Sequence, residues 1–104
     1  MANTLKDLGS YAITTGFGTA YTVPGATKFV TGTFHIVNTT QNTITVRFCK
    51  NGDTADNALL WDFPILANDF IEFGKGLLFA AAETIRIKAS ATGMTFTGSG
   101  IEVT

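Results

Sequence analysis

Thr43-Ile44-Thr45-Val46-Arg47-Phe48-Cys49-Lys50 sets its large apolar residues on even positions only. A period of two is the mark of a strand with one face in a core and one in solvent. Upstream, residues 28–37 repeat the pattern, with Val30, Gly32, Phe34 and Ile36 on one side and Thr31, Thr33 and His35 on the other. Between the two lies Asn38-Thr39-Thr40-Gln41-Asn42, which has the length and chemistry of a hairpin loop, so the two strands are expected to pair.

Outward from this centre the same alternation predicts strands at residues 19–23, 58–63, 69–73, 83–90, 94–97 and 101–103. Pro24-Gly25, Asn51-Gly52 and Gly74-Lys75-Gly76 punctuate them as turns. No window carries a helical stripe, and residues 77–82 amount to one helical turn at best. About eight short strands in 104 residues predict one all-β domain, an antiparallel two-sheet β-sandwich of jelly-roll-like form, with a barrel as the competing closure. Unanchored polar N-termini fray, so residues 1–15 are expected to be an arm docked on a partner subunit and residues 16–104 the sandwich.

Only 14% of residues are charged, well below the roughly 25% of an average soluble domain, and threonine is the most frequent residue. Hydroxyls lose less on desolvation than charges do, so such a surface suits protein contact. A net charge of -1 without a basic run gives nothing to attract a phosphate backbone, and no nucleic acid is expected as a partner. Cys49 is the only cysteine, which rules out an intrachain disulfide and points to synthesis in a cytoplasm. Residues 1–10 lack the basic start and apolar stretch of a secretory signal, and the apolar run at 77–82 is far too short to span a bilayer. Asn38-Thr39-Thr40 is a formal glycosylation sequon, without consequence unless the chain is exported.

Some large apolar side chains fall opposite the inferred interior. With Leu59, Trp61 and Phe63 pointing inward, Leu60 points out; with Ile71 and Phe73 inward, Phe70 points out; Phe29 is likewise out of phase. Phe29, Leu60 and Phe70 are therefore the expected subunit interface, unless both strand faces are covered within the monomer or a bulge shifts the phase.

No set of residues spells a catalytic site. His35 is the single histidine, read as an outward strand residue, and Cys49 shares the outward side of its strand with Arg47 as an unreactive thiol. Residues 51–57 gather oxygen ligands in an order unlike an EF-hand, which reads as a solvated turn with bound calcium as the alternative. Gly16-Phe17-Gly18 and Gly74-Lys75-Gly76 lack the spacing of a phosphate loop, and Gly98-Ser99-Gly100 lacks that of a nucleophile elbow. Asp62, Asp69 and Glu72 could pair as glycosidase carboxylates only if a cleft existed. No metal and no cofactor is expected. Trp61, Tyr11 and Tyr21 raise carbohydrate stacking as a binding alternative, against a core role for Trp61.

Three stretches resemble a family of short β-sandwich virion proteins of tailed bacteriophages. They are Ala20-Tyr21-Thr22-Val23-Pro24-Gly25-Ala26-Thr27, residues 34–38 followed by 43–50, and residues 65–90, spread over the chain from residue 20 to residue 90. In that family a Tyr-Thr-Val-Pro turn opens the domain, a strand ends in Asn before a Ser/Thr-rich hairpin, and an Ile-Arg-Ile-like strand closes it, here Ile85-Arg86-Ile87. Ala82-Glu83 stands where the family has Gly-Asp, which puts a turn with positive φ in question. The resemblance implies a structural virion role without catalysis: a capsid decoration (cement) protein, as a homotrimer at threefold positions, bridging neighbouring major capsid protein subunits. A tail or fibre-associated receptor- or carbohydrate-binding module is the alternative it allows.

Overall fold

The computed structural model describes residues 3–104. Among them the chain runs through β1 (Asn3–Ala12), β2 (Gly18–Thr22), β3 (Lys28–Asn38), β4 (Ile44–Lys50), a 3₁₀ turn (Ala55–Asn57), β5 (Ala58–Ile65), β6 (Phe70–Phe73), β7 (Leu78–Phe79), β8 (Thr84–Ala89) and β9 (Met94–Val103). Two antiparallel sheets result, one ordered β1-β9-β3-β6 with β7 also on β3, the other β2-β8-β4-β5. Early strands pair with late ones, and apart from the β4–β5 and β6–β7 connections each link crosses from sheet to sheet. A long antiparallel ribbon rolled up in this way is a jelly roll, the expected fold class.

The core lies between the sheets and is built on phenylalanine. Phe29, Phe34, Phe48, Phe79 and Phe96 are fully buried. Phe34, Phe48 and Phe96 meet with ring centroids 5.1 to 5.5 Å apart and tilted planes, the geometry that ring quadrupoles favour. Ile71 and Phe73 pack against this cluster as expected, and Phe70 points out.

Several expectations are corrected. β3 and β4 are not a hairpin: they belong to different sheets, and residues 38–42 form a corner between them. Buried Asn38 holds that corner. Its Nδ2 donates to the carbonyls of Asn42, Ile65 and Leu66 at 2.8, 3.0 and 3.2 Å, and its Oδ1 accepts from Thr40 N and Oγ1. Phe29 is core, because the β3–β9 register shifts between Thr31 and Thr33, and this bulge at Gly32 reverses the phase of residues 28–31. Leu60 also turns inward against the core. Val46 pairs with Phe63 and Phe48 with Leu60, so Trp61 and Asp62 together oppose Arg47, with Asp62 at φ +52°. That bulge expels Trp61, which is not a core anchor.

Residues 3–12, expected as part of an arm, are the edge strand of the chain's own first sheet; Met1 and Ala2 lie outside the described residues. Gly9 at φ +72°, its N–H bonded to the Asp7 carboxylate, makes a bulge that hides the alternation. The two strands expected at 94–97 and 101–103 are one, because Gly98 and Gly100 continue β9 rather than break it. A Cβ on Gly100 would sit 2.4 Å from the Val30 carbonyl oxygen and 2.6 Å from the Phe29 ring. Residues 77–82 hold β7 and a turn in which Ala82 takes φ +67° and Glu83 accepts the Ala80 N–H, so the positive-φ turn forms without glycine.

Candidate interaction surface

The outer face of the first sheet is uncovered, and strand register lays out its side chains in rows. One row runs Leu5, Ile101, Val30, Leu78 across β1, β9, β3 and β7. It is apolar throughout, and Leu5 and Leu78 are 85% and 52% exposed. A shallow depression of about 510 Å³ lies along it. Next comes Asp7, Ser99 and Thr33, then Ser10, Thr97, His35 and Glu72, and finally Ala12, Thr95, Val37 and Phe70. His35 thus faces outward as expected, stacked on the Phe70 ring at 5.1 Å, and Phe70 is 52% exposed. The face is a polar band between two mainly apolar rows, with a further row of Asn3, Val103 and Lys28 beyond Leu5 and Ile101. The alternation of β3 and β6 predicts Thr33, His35 and Phe70 on this face; the row of Leu5 and Leu78 was missed, because neither β1 nor β7 alternates cleanly.

On the second sheet the outer face is charged and self-paired. Within the β5 bulge Asp62 accepts from Arg47 Nε and Nη2 at 2.6 and 3.1 Å, while the Arg47 guanidinium lies 4.0 Å from the Trp61 ring centre. The hydrogen bonds from Arg47 hold the Asp62 carboxyl below its ordinary pKa. Trp61 remains 38% exposed. Thr45, Arg47, Asp62, Lys88 and Ser90 line a depression of about 230 Å³ here.

Cys49 does share the outer side of β4 with Arg47, yet it is fully buried, because residues 51–57 fold over it and its Sγ lies 3.8 Å from Thr54 O. Burial pushes its thiol pKa up, the Asp53 charge adds to this, and Arg47 opposes it. The covering loop is stitched by its own side chains: Asn57 Nδ2 donates to Lys50 O and Asn51 O, Asn51 Oδ1 accepts from Thr84 N, and Asp53 pairs with Arg86 at 2.8 Å. Among the described residues no group of three or more His, Cys, Asp or Glu side chains is placed to hold a metal ion.

Asp62, Asp69 and Glu72 are not brought together. Asp62 is on the second sheet with Arg47, Asp69 caps the N–H of Phe70, and Glu72 is on the first sheet beside His35. Tyr21 lies at the sandwich rim, its hydroxyl donating to Glu102, and burial followed by the Glu102 contact raises its pKa. No described helix is long and apolar enough to cross a membrane. Comparison with protein-family models, with curated proteins and with solved structures returns no match.

Proposed function

We propose that this chain is a structural protein of a bacteriophage virion, a capsid decoration (cement) protein that bridges neighbouring major capsid protein subunits. The observation that carries the reading is the placing of exposed apolar side chains in separate patches on one elongated slab of 46 × 24 × 18 Å. Leu5, Ile101 and Leu78 mark the face of the first sheet, while Phe63 and Leu66 sit on and just after β5 in the second. A bridge needs at least two contact surfaces on a body that does not bend, and a sandwich with a closed phenylalanine core is such a body. Low surface charge keeps the desolvation of both contacts inexpensive. The resemblance of the three stretches between residues 20 and 90 supplies the particle.

The test is co-purification and rebinding. The chain is expected on purified particles, labelled at the shell, and expected to rebind shells from which it has been stripped; Leu66→Asp lowers that rebinding while leaving the fold intact. A chain that never accompanies particles overturns the reading. Exposed Trp61, its ring stacked on the Arg47 that pairs with Asp62, favours a second reading, a tail-borne carbohydrate-binding module. Hits on a glycan array that quench Trp61 fluorescence would establish it.

A further inference from the structure

We infer that the outer face of the first sheet is covered by a second copy of this chain, packed face to face about a two-fold axis that runs along the strands between β9 and β3. The inference does not rest on the virion reading; it assigns the first-sheet patch of Leu5, Ile101 and Leu78 to a second copy, so that the Phe63 and Leu66 patches of the two copies are the contact surfaces left for a bridge.

Such an axis reverses the strand order across the interface and keeps each row opposite itself. Ile101 then meets Val30 of the second copy, and Leu5 meets Leu78. Two rows of apolar side chains, otherwise in water, bury each other. At the far end Ala12 faces Phe70 and Thr95 faces Val37, small against large. In the polar band Ser10 comes opposite Glu72 and Thr97 opposite His35, so each charged or ring group gains a hydroxyl partner.

Charge complements as well. Asp7 on β1 faces the turn at Gly74-Lys75-Gly76, which is tied to β3 by Gly76 N donating to Thr31 O and by Thr31 Oγ1 donating to Gly74 O. Lys75 of one copy therefore reaches Asp7 of the other, twice per dimer. No row sets like charges against each other.

The area is adequate. Four strands side by side measure about 19 Å and ten residues along a strand about 33 Å. A face of that size buries roughly 600 Å² per copy, which enters the range of about 1,200–2,000 Å² in total for stable complexes. The contact is isologous and closes on two copies, whereas the homotrimer implied by the resemblance needs head-to-tail contacts. It leaves Phe63 and Leu66 of each copy outside the interface.

Sedimentation equilibrium of the purified chain over a concentration series tests this. A dimer is expected. Because symmetry counts every substitution twice, Leu5→Asp should weaken association at least about a hundredfold. Asp7→Lys and Lys75→Asp should each weaken it, and the two combined should restore it. Circular dichroism and thermal unfolding of each variant separate loss of association from loss of fold. A monomer or a trimer, a dimer indifferent to Leu5→Asp in a folded variant, or absence of rescue by the paired charge reversal would overturn the inference. Failure of the chain to accompany virus particles would leave it intact.

Discussion

Replacing Asn38 by alanine should be among the most damaging single changes away from the phenylalanine core. The side chain is fully buried and fully engaged, with two amide hydrogens shared by three carbonyls and Oδ1 accepting two bonds. Truncation removes about four hydrogen bonds at about 1 kcal/mol each and strands the buried Ile65 carbonyl, which gives a loss of about 3–5 kcal/mol. A domain of this size has about 5–15 kcal/mol in all, so Tm should fall by roughly 15–30 °C. Urea unfolding followed by circular dichroism measures it. Asn38→Asp supplies the control: it keeps the shape and loses the donors at neutral pH. Its carboxylate would lie among carbonyls, so its folded pKa is raised. The variant should therefore regain stability as pH falls through that value, when the protonated acid offers one donor. A loss below about 1 kcal/mol for Asn38→Ala, with an unchanged denaturant slope, would refute the view that this side chain holds the β3–β4 corner.

Three further outcomes follow from the same geometry. Gly100→Ala should destabilise by about 2 kcal/mol or more, because its methyl meets the Val30 backbone and the Phe29 ring, whereas the same change at Gly76, in open space at φ +77°, should cost only the left-handed strain of about 1–2 kcal/mol; thermal unfolding compares them. The raised pKa of Tyr21 means that its stabilising effect is complete below pH about 10 and declines as pH rises above it; alkaline unfolding should therefore begin at lower pH in the parent than in Tyr21→Phe, as circular dichroism can follow. Arg47→Ala uncovers one face of Trp61, and its emission should shift to the red with little change in Tm, since the ion pair with Asp62 is exposed.

How much of this was legible beforehand varies by segment for physical reasons. Where alternation is unbroken, as in β4 and β8, the strand follows from the residues themselves to within one residue at each end, and in β4 so does the core side of Ile44, Val46 and Phe48. A single extra residue defeats that reading. At Gly32 and at Trp61-Asp62 the bulge inverts the phase, so Phe29, expected outward, is core, and Leu60, expected outward, packs half-buried against the core. Gly32 is itself a local sign of a bulge, whereas at Trp61-Asp62 nothing local marks one, and it is stabilised by what it aims across the sheet, here Arg47 clasped between a ring and a carboxylate. The outward assignment of Phe70 survived because β6 is short and regular.

By itself the sequence determined the fold class, the sparse charge of the surface and the outward positions of His35 and Phe70, all of which rest on periodicity and composition. Tertiary structure alone decided which strands are neighbours. Hydrogen-bonding edges are alike in every strand, so partner choice depends on how the whole ribbon rolls to bury its phenylalanines. Only that rolling put Leu5, Ile101, Val30 and Leu78, from four distant stretches of chain, into one row.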